Sequence, residues 1–186
     1  IFADAGHLVT GVYINKNVLD NISCGESSFE EPLLDELLKK VIKSGNLKVS
    51  SVPNKADIYA ICVPTPLKDN FKPDIGFVKS VIENIAKVIN KNSLIIIEST
   101  IPYGTTSLMK DYVLKLNPNI NSNEIFFAHC PERVLPGNAI YEIKNNNRVI
   151  GGLSKEACTR AKEFYQTFSN GDIEVTDAGT AELVKL

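Results

Sequence analysis

The sequence predicts an α/β protein built on a doubly wound parallel sheet. Short apolar runs alternate with amphipathic, helix-spaced segments along all 186 residues. Two of the runs, residues 57–63 and 93–98, are apolar on both faces, as strands covered by helices on each side must be. One of these runs also ends at Pro64-Thr65-Pro66, since two prolines cannot continue a central strand.

The elements follow in order. Leu8-Val9-Thr10-Gly11-Val12-Tyr13-Ile14 reads as a strand, closed by the polar turn Asn15-Lys16-Asn17, and a short helix is expected over 18–22. From 32 to 44, apolar residues at 33, 34, 37, 38, 41 and 42 repeat at helical spacing. Gly45 stands just past the end, where a left-handed cap is favoured. A small strand at 47–49 precedes the strand at 57–63, which stops at Pro64-Thr65-Pro66. Asp74 is placed to cap a helix to about Ile89, with Phe77, Val78, Val81, Ile82, Ile85 and Val88 on its buried face. The strand at 93–98, a loop at 99–105, a helix to about Leu116 and a strand at 125–128 come next. A loop over 130–147, a strand at 149–152, a helix over 155–168, a short strand at 173–175 and a helix opening near Ala178 complete the chain. Open α/β sheets bind ligands at the carboxyl ends of their strands, so the loops at 64–73, 99–105 and 130–138 form the expected functional edge.

The bulk composition narrows the function. Twenty basic residues face 22 acidic ones, a net charge of −2, which gives no electrostatic reason to expect nucleic acid or an anionic membrane as partner. No apolar stretch approaches the roughly 18 residues that span a bilayer, and residues 1–7 lack the basic and apolar regions of a signal peptide. Cys24, Cys62, Cys130 and Cys158 form no C-x-x-C pair and fit no zinc spacing. No metal is therefore expected, and the four thiols are read as reduced and structural in a cytoplasmic protein, with Cys62 and Cys158 at positions where small buried thiols are common.

A Rossmann-like sheet normally opens with a strand, a glycine-rich turn and a helix. No G-x-G-x-x-G occurs here, yet Phe2-Ala3-Asp4-Ala5-Gly6-His7 looks like the tail of such a helix feeding the next strand. The expectation is a Rossmann-like doubly wound sheet lacking its first strand and glycine-rich turn. That strand would lie in the middle of the sheet, so its neighbours would expose unpaired edges, and the chain alone is expected to be unstable or to bind its nucleotide poorly.

Four segments carry a family resemblance: Val63-Pro64-Thr65-Pro66, Glu98-Ser99-Thr100-Ile101-Pro102-Tyr103-Gly104-Thr105-Thr106, Cys130-Pro131-Glu132-Arg133-Val134-Leu135-Pro136-Gly137 and Ala181-Glu182-Leu183-Val184-Lys185-Leu186. In order and spacing they resemble the UDP-glucose/GDP-mannose dehydrogenase family. The third segment, followed by Asn147-Arg148-Val149-Ile150-Gly151-Gly152, is most similar to the members that act on UDP-N-acetyl-D-mannosamine.

The resemblance implies an NAD-binding domain over 1–176, truncated at its N-terminus, and over 177–186 the start of a central helix leading to a second domain. It implies NAD as cofactor and a UDP-sugar as substrate, whose C6 hydroxymethyl is oxidised to a carboxylate for polysaccharide biosynthesis. It also implies a homodimer or larger homo-oligomer. The chain alone is expected to be inactive. Lys185 matches a lysine beside the reacting carbon, Glu132 a carboxylate that orders the hydrolytic water, and Thr100 a residue of the catalytic and cofactor edge. Glu132, Arg133, Val134 and Lys185 match substrate contacts; Tyr13, Ile14, Thr65, Thr100 and Thr106 match cofactor positions. The family's nucleophilic cysteine belongs to a later segment, so Cys130 is not it, and His129 is read as structural.

One position departs from the pattern. The family ends its second strand with an Asp that takes the adenosine ribose, and here Tyr13 stands there. A phenol offers no bidentate anionic acceptor, which leaves the choice between NAD and NADP open. UDP-glucose or another UDP-N-acetylhexosamine as substrate, and a non-catalytic nucleotide-binding remnant, stay as alternatives. The central expectation is spatial: Glu132, Arg133 and Lys185 converge on one sugar carbon.

Overall fold

The computed structural model describes residues 1–69 and 71–185. The chain forms two compact units: residues 1–54, 134–146 and 166–171 in the first, and 55–133, 147–165 and 172 onward in the second.

In the first unit, residues 1–6 make a helical turn, with Ala5 N–H donating to Ile1 at 3.0 Å. Gly6 closes it at a φ of 96°. Strands β1 (Val9–Val12) and β2 (Leu47–Ser50) pair in parallel, connected through helices α1 (Lys16–Ser23) and α2 (Leu34–Lys43). The α2 ends match its dipole, with Asp35 and Glu36 in the first turn and Lys40 and Lys43 in the last. Of its apolar stripe only Val41 is buried. Helix α5 (Ala139–Asn145) occupies the segment expected as loop, its entrance held by Glu31, which accepts from the Gly137 and Ala139 amides at 2.7 Å each.

The second unit holds a five-stranded sheet in the order β3 (Ile58–Ile61), β4 (Leu94–Ile97), β5 (Phe126–His129), β6 (Arg148–Gly152), β7 (Ile173–Asp177). Helices α3 (Gly76–Ala86), α4 (Thr105–Leu116), α6 (Lys155–Gln166) and α7 (Ala178–Leu183) connect or follow the strands. Alternate residues Tyr59, Ile61, Ile95, Ile97, Ile125 and Phe127 join Val78, Ile82, Ile85, Met109 and Val113 in one core. Leu94 and Ile96 point to the opposite face and are equally buried. Both faces of β4 are therefore covered, as its apolar run predicts, whereas Ala60 leaves one position of β3 exposed. Phe77, expected on the buried face of α3, is 50% exposed, because the buried stripe turns toward Ala86 instead. Among the described residues β1 pairs only with β2 and β3 only with β4, and no helix is long and apolar enough to cross a membrane.

The all-parallel expectation is corrected at β6. It runs antiparallel to β5, with Ala128 opposite Gly152 and His129 opposite Gly151, and β7 follows β6 in parallel. Apolar patterning specifies which residues are buried but not which way a strand runs. The reversal matters to function: a continued register sets Arg148, at the start of β6, opposite Glu132, just past the end of β5. β7 then leads away from that edge. The six residues of α7 climb back by about 9 Å.

Gly151 permits this return. A Cβ there would lie 2.3 Å from the Asp177 carbonyl oxygen and 2.6 Å from the Ala181 Cβ. The first obstacle is backbone, so no rotamer change relieves it. Gly151→Ala is expected to cost about 2–3 kcal/mol by overpacking, read as a lowered denaturant midpoint. A variant as stable as the parent would show that α7 does not seat on β6.

Candidate active site

In the second unit Glu132 stands just past the carboxyl end of β5. Its Oε2 accepts from Arg148 Nη1 at 2.9 Å, and its Oε1 accepts from the Arg133 amide at 2.7 Å. Its backbone carbonyl accepts from Lys185 Nζ. Arg133 Nη2 donates to the Asn147 carbonyl at 3.0 Å, tying the loop after β5 to the start of β6. The Arg148 side chain is only 4% exposed and Glu132's 25%. A cation buried that deeply must be paired. Burial works against its charge, but the Glu132 carboxylate, with smaller pushes from Cys130 and Tyr165, outweighs this and holds the guanidinium protonated. Its far face lies over the Tyr165 ring, 5.0 Å from the centroid.

A second buried cluster supports that pair. The Tyr165 hydroxyl donates to Glu98 Oε1, and the Cys62 thiol donates to Glu98 Oε2 at 3.1 Å. Burial pushes the Glu98 carboxyl above the usual carboxylate range, against the pull of the Tyr165 and Cys62 donors. Burial, then the Glu98 charge, also raises Tyr165 well above its ordinary value. Cys130 is pushed up to about 12 by burial and by Glu98, and Cys62, whose thiol is enclosed although the residue keeps exposed surface, moves well upward by that enclosure and by the Glu98 carboxylate it is bonded to. Cys62 keeps exposed surface, contrary to the buried position expected for it. Neither thiol has the depressed pKa of a nucleophilic cysteine.

The expected cofactor residues are placed as follows. Tyr13 and Ile14 follow β1 in the first unit, 51% and 89% exposed. Val134 is also in the first unit, half-buried. Thr65 and Thr100 follow β3 and β4, both half-buried. The two strand ends are stitched by Ser99, whose hydroxyl donates to the Val63 carbonyl at 2.7 Å. Thr106 is fully buried, and its hydroxyl and amide donate to Glu182 Oε1 at 2.6 and 2.7 Å. That hydroxyl is engaged inside the protein, which corrects its reading as a cofactor contact. Of the last motif, Leu186 lies outside the described residues, as does Asn70 in the loop at 64–73.

His129 is 1% exposed, and neither ring nitrogen reaches a partner at hydrogen-bonding geometry among the described residues. Burial lowers its pKa, against a smaller opposite push from the Ile97 carbonyl and Glu182. A neutral, enclosed imidazole fits a packing role. Sequence reading missed Arg148 as a partner. Its signal was a charged residue opening an apolar strand, which has to find a counterion when buried.

A lysine ammonium bonded to the loop whose carboxylate is clamped by Arg148 and the Arg133 amide suits electrostatic stabilisation of a developing alkoxide and the ordering of a water. Residues 1–169 match the model of the UDP-glucose/GDP-mannose dehydrogenase family, NAD binding domain. The chain belongs to that family. NAD is accordingly its cofactor. Similar to it over its whole length are the UDP-N-acetyl-D-mannosamine dehydrogenases of Escherichia coli strain K12, at 38% identity, and of Methanococcus maripaludis, at 42%. Among solved structures, a UDP-D-ManNAc dehydrogenase from Pyrococcus horikoshii superposes with a TM-score of 0.95 at 38% identity, over 99% of this chain. The chain spans 43% to 46% of the length of these proteins.

Proposed function

We propose that the protein containing this chain oxidises the C6 hydroxymethyl of UDP-N-acetyl-D-mannosamine to the carboxylate, for polysaccharide biosynthesis in the cytoplasm. In this reading residues 1–176 are the NAD-binding domain, and 177–186 begin the central helix through which the protein assembles as a homo-oligomer. The overall change is one primary alcohol, two NAD⁺ and one water to one carboxylic acid, two NADH and two protons. One observation carries the reading: Lys185 Nζ is bonded to the Glu132 carbonyl, and the Glu132 carboxylate is aimed by Arg148.

In this reading each unit offers NAD residues that follow its strands. Tyr13 and Ile14 are open to solvent, and Thr65 and Thr100 are partly so. Tyr13 would meet the adenosine ribose, with Ile14 beside it, and Thr65 and Thr100 would offer hydroxyls to the nicotinamide side. NAD supplies the hydride acceptor. Lys185 provides the cation that lowers the energy of the alkoxide or oxyanion at C6. Glu132, with both oxygens already oriented, orders the water that completes the acid. Arg133 and Val134 contact the polar sugar nucleotide, Arg133 through the donors it does not give to Asn147.

The test is turnover of the complete protein on UDP-N-acetyl-D-mannosamine, UDP-glucose and UDP-N-acetylglucosamine, each with NAD and with NADP. Two NADH per UDP-N-acetyl-D-mannosamine are expected. Faster oxidation of UDP-glucose or UDP-N-acetylglucosamine would overturn the substrate. Tyr13 in the ribose-binding position favours a second reading, a nucleotide-binding module without catalysis. NAD binding with no turnover on any sugar would establish that instead.

A further inference from the structure

Helix α4 begins without a cap of its own. Its N-cap, Gly104, has a left-handed φ of 83° and no side chain to accept from the first amides. An N-terminus with unsatisfied N–H groups carries partial positive charge and calls for an acceptor, which Ser, Thr, Asp or Asn at the cap usually supplies. Here the acceptor arrives from 76 residues away. Glu182 Oε2 accepts from Gly104 N–H at 2.6 Å, and Oε1 accepts from the Thr106 amide and hydroxyl. Glu182 is 1% exposed.

A second contact locks the same two elements. A Cβ on Gly179 would sit 2.6 Å from the Tyr103 ring, so α7 lies directly against the loop that leads into α4. Asp177 caps α7 itself through the Thr180 amide and hydroxyl, at 2.9 and 2.6 Å. Helix α7 is thus fixed at its start by Asp177 and in its last turn by Glu182, three residues before Lys185.

We propose that Glu182 is a positioning residue, whose carboxylate caps α4 from outside and thereby holds α7, and with it Lys185, against the loop carrying Thr100. The arrangement has a second consequence. A free helix N-terminus attracts phosphate, but at α4 the protein's own carboxylate occupies that place. The cofactor's diphosphate is therefore excluded from the Thr105–Thr106 turn, and Thr106 serves Glu182 rather than NAD. The positioning of Lys185 rests on the dehydrogenase reading; the cap does not.

The experiment uses the complete protein with Glu182→Gln and, as a milder variant that removes one donor, Thr106→Val. Amide hydrogen exchange is followed at Gly104 and Thr106, alongside steady-state kinetics. In Glu182→Gln, exchange at those two amides is expected to accelerate at least about tenfold while β4 amides keep their protection. In the same variant kcat is expected to fall about tenfold or more, with KM for NAD within about twofold of the parent. Thr106→Val should move both readouts in the same direction by less, again with KM for NAD unchanged. Unaltered exchange at Gly104 and Thr106 would overturn the cap. Accelerated exchange with parental kcat would overturn the positioning role, and so would kcat falling only in step with a general loss of protection. A raised KM for NAD in Thr106→Val would overturn the exclusion of the cofactor from α4. Should Glu182→Gln not fold, Thr106→Val decides by the same criteria. A parent protein inactive on every nucleotide sugar removes the dehydrogenase reading and leaves the exchange result to judge the cap.

Discussion

Lys185→Met is expected to lower kcat of the complete protein by about 10²–10³-fold, with KM for the nucleotide sugar changed by less than about threefold. The ammonium touches the Glu132 carbonyl in the structure, so its nitrogen stands at the loop where the reacting carbon is proposed to lie. Removing a preorganised charged donor from the position of a developing oxyanion forfeits about 3–4 kcal/mol of transition-state stabilisation. The ground-state alcohol carries no comparable charge, and its binding depends far less on that group. Methionine keeps much of the stem's apolar packing, and Lys185 is exposed, so the melting temperature should move little. Lys185→Arg would preserve the charge but not its compact placement, and should recover only part of the rate. A methionine variant within threefold of the parent kcat would remove Lys185 from the chemistry.

Arg148→Gln carries the largest expected stability effect. The guanidinium is almost wholly enclosed and pairs with a carboxylate that is itself three-quarters covered. Deleting one partner of such a pair leaves the other buried without its counter-charge, at a cost of about 3–5 kcal/mol. For a domain of this size that corresponds to a melting-point loss of roughly 10 °C. The carboxylate would also lose its aim, so kcat should fall about tenfold or more even at temperatures where the variant is folded. The double variant Glu132→Leu/Arg148→Met separates the two effects. Replacing both charges with apolar side chains should recover most of the stability, while activity stays lost. If the single variant cost under 1 kcal/mol, or the double variant regained turnover, the pair would not have the role its geometry indicates.

Much of the edge that carries this candidate site is legible in the sequence. Pro64-Thr65-Pro66 marks a strand end through residues that cannot stay in a central strand, and Lys185 donates to the Glu132 carbonyl of the loop after β5. What escaped was the partner of each charged group. Thr106 read as a residue facing a ligand because a threonine at a helix start is compatible with either environment; only the three-donor contact with Glu182 decides between them. Arg148 has no role in the sequence alone: a parallel β6 would carry it to the opposite edge of the sheet, and only the antiparallel pairing sets it opposite Glu132. Cys62 lies in an apolar run yet is exposed, since β3 pairs on one side only among the described residues.

The sequence by itself determined the alternation of strands and helices apart from α5, the two-sided burial of β4 and the loops that follow β3 and β4. These follow from local causes: apolar periodicity, and the residues that end a strand or cap a helix. Only the tertiary structure decided the direction of β6, the pairing of Arg148 with Glu132 and the capping of α4 by Glu182. Those depend on groups 16 and 76 residues apart meeting in a low-dielectric interior. A buried charge must find a counterpart there, but its own neighbours in the chain do not say which one.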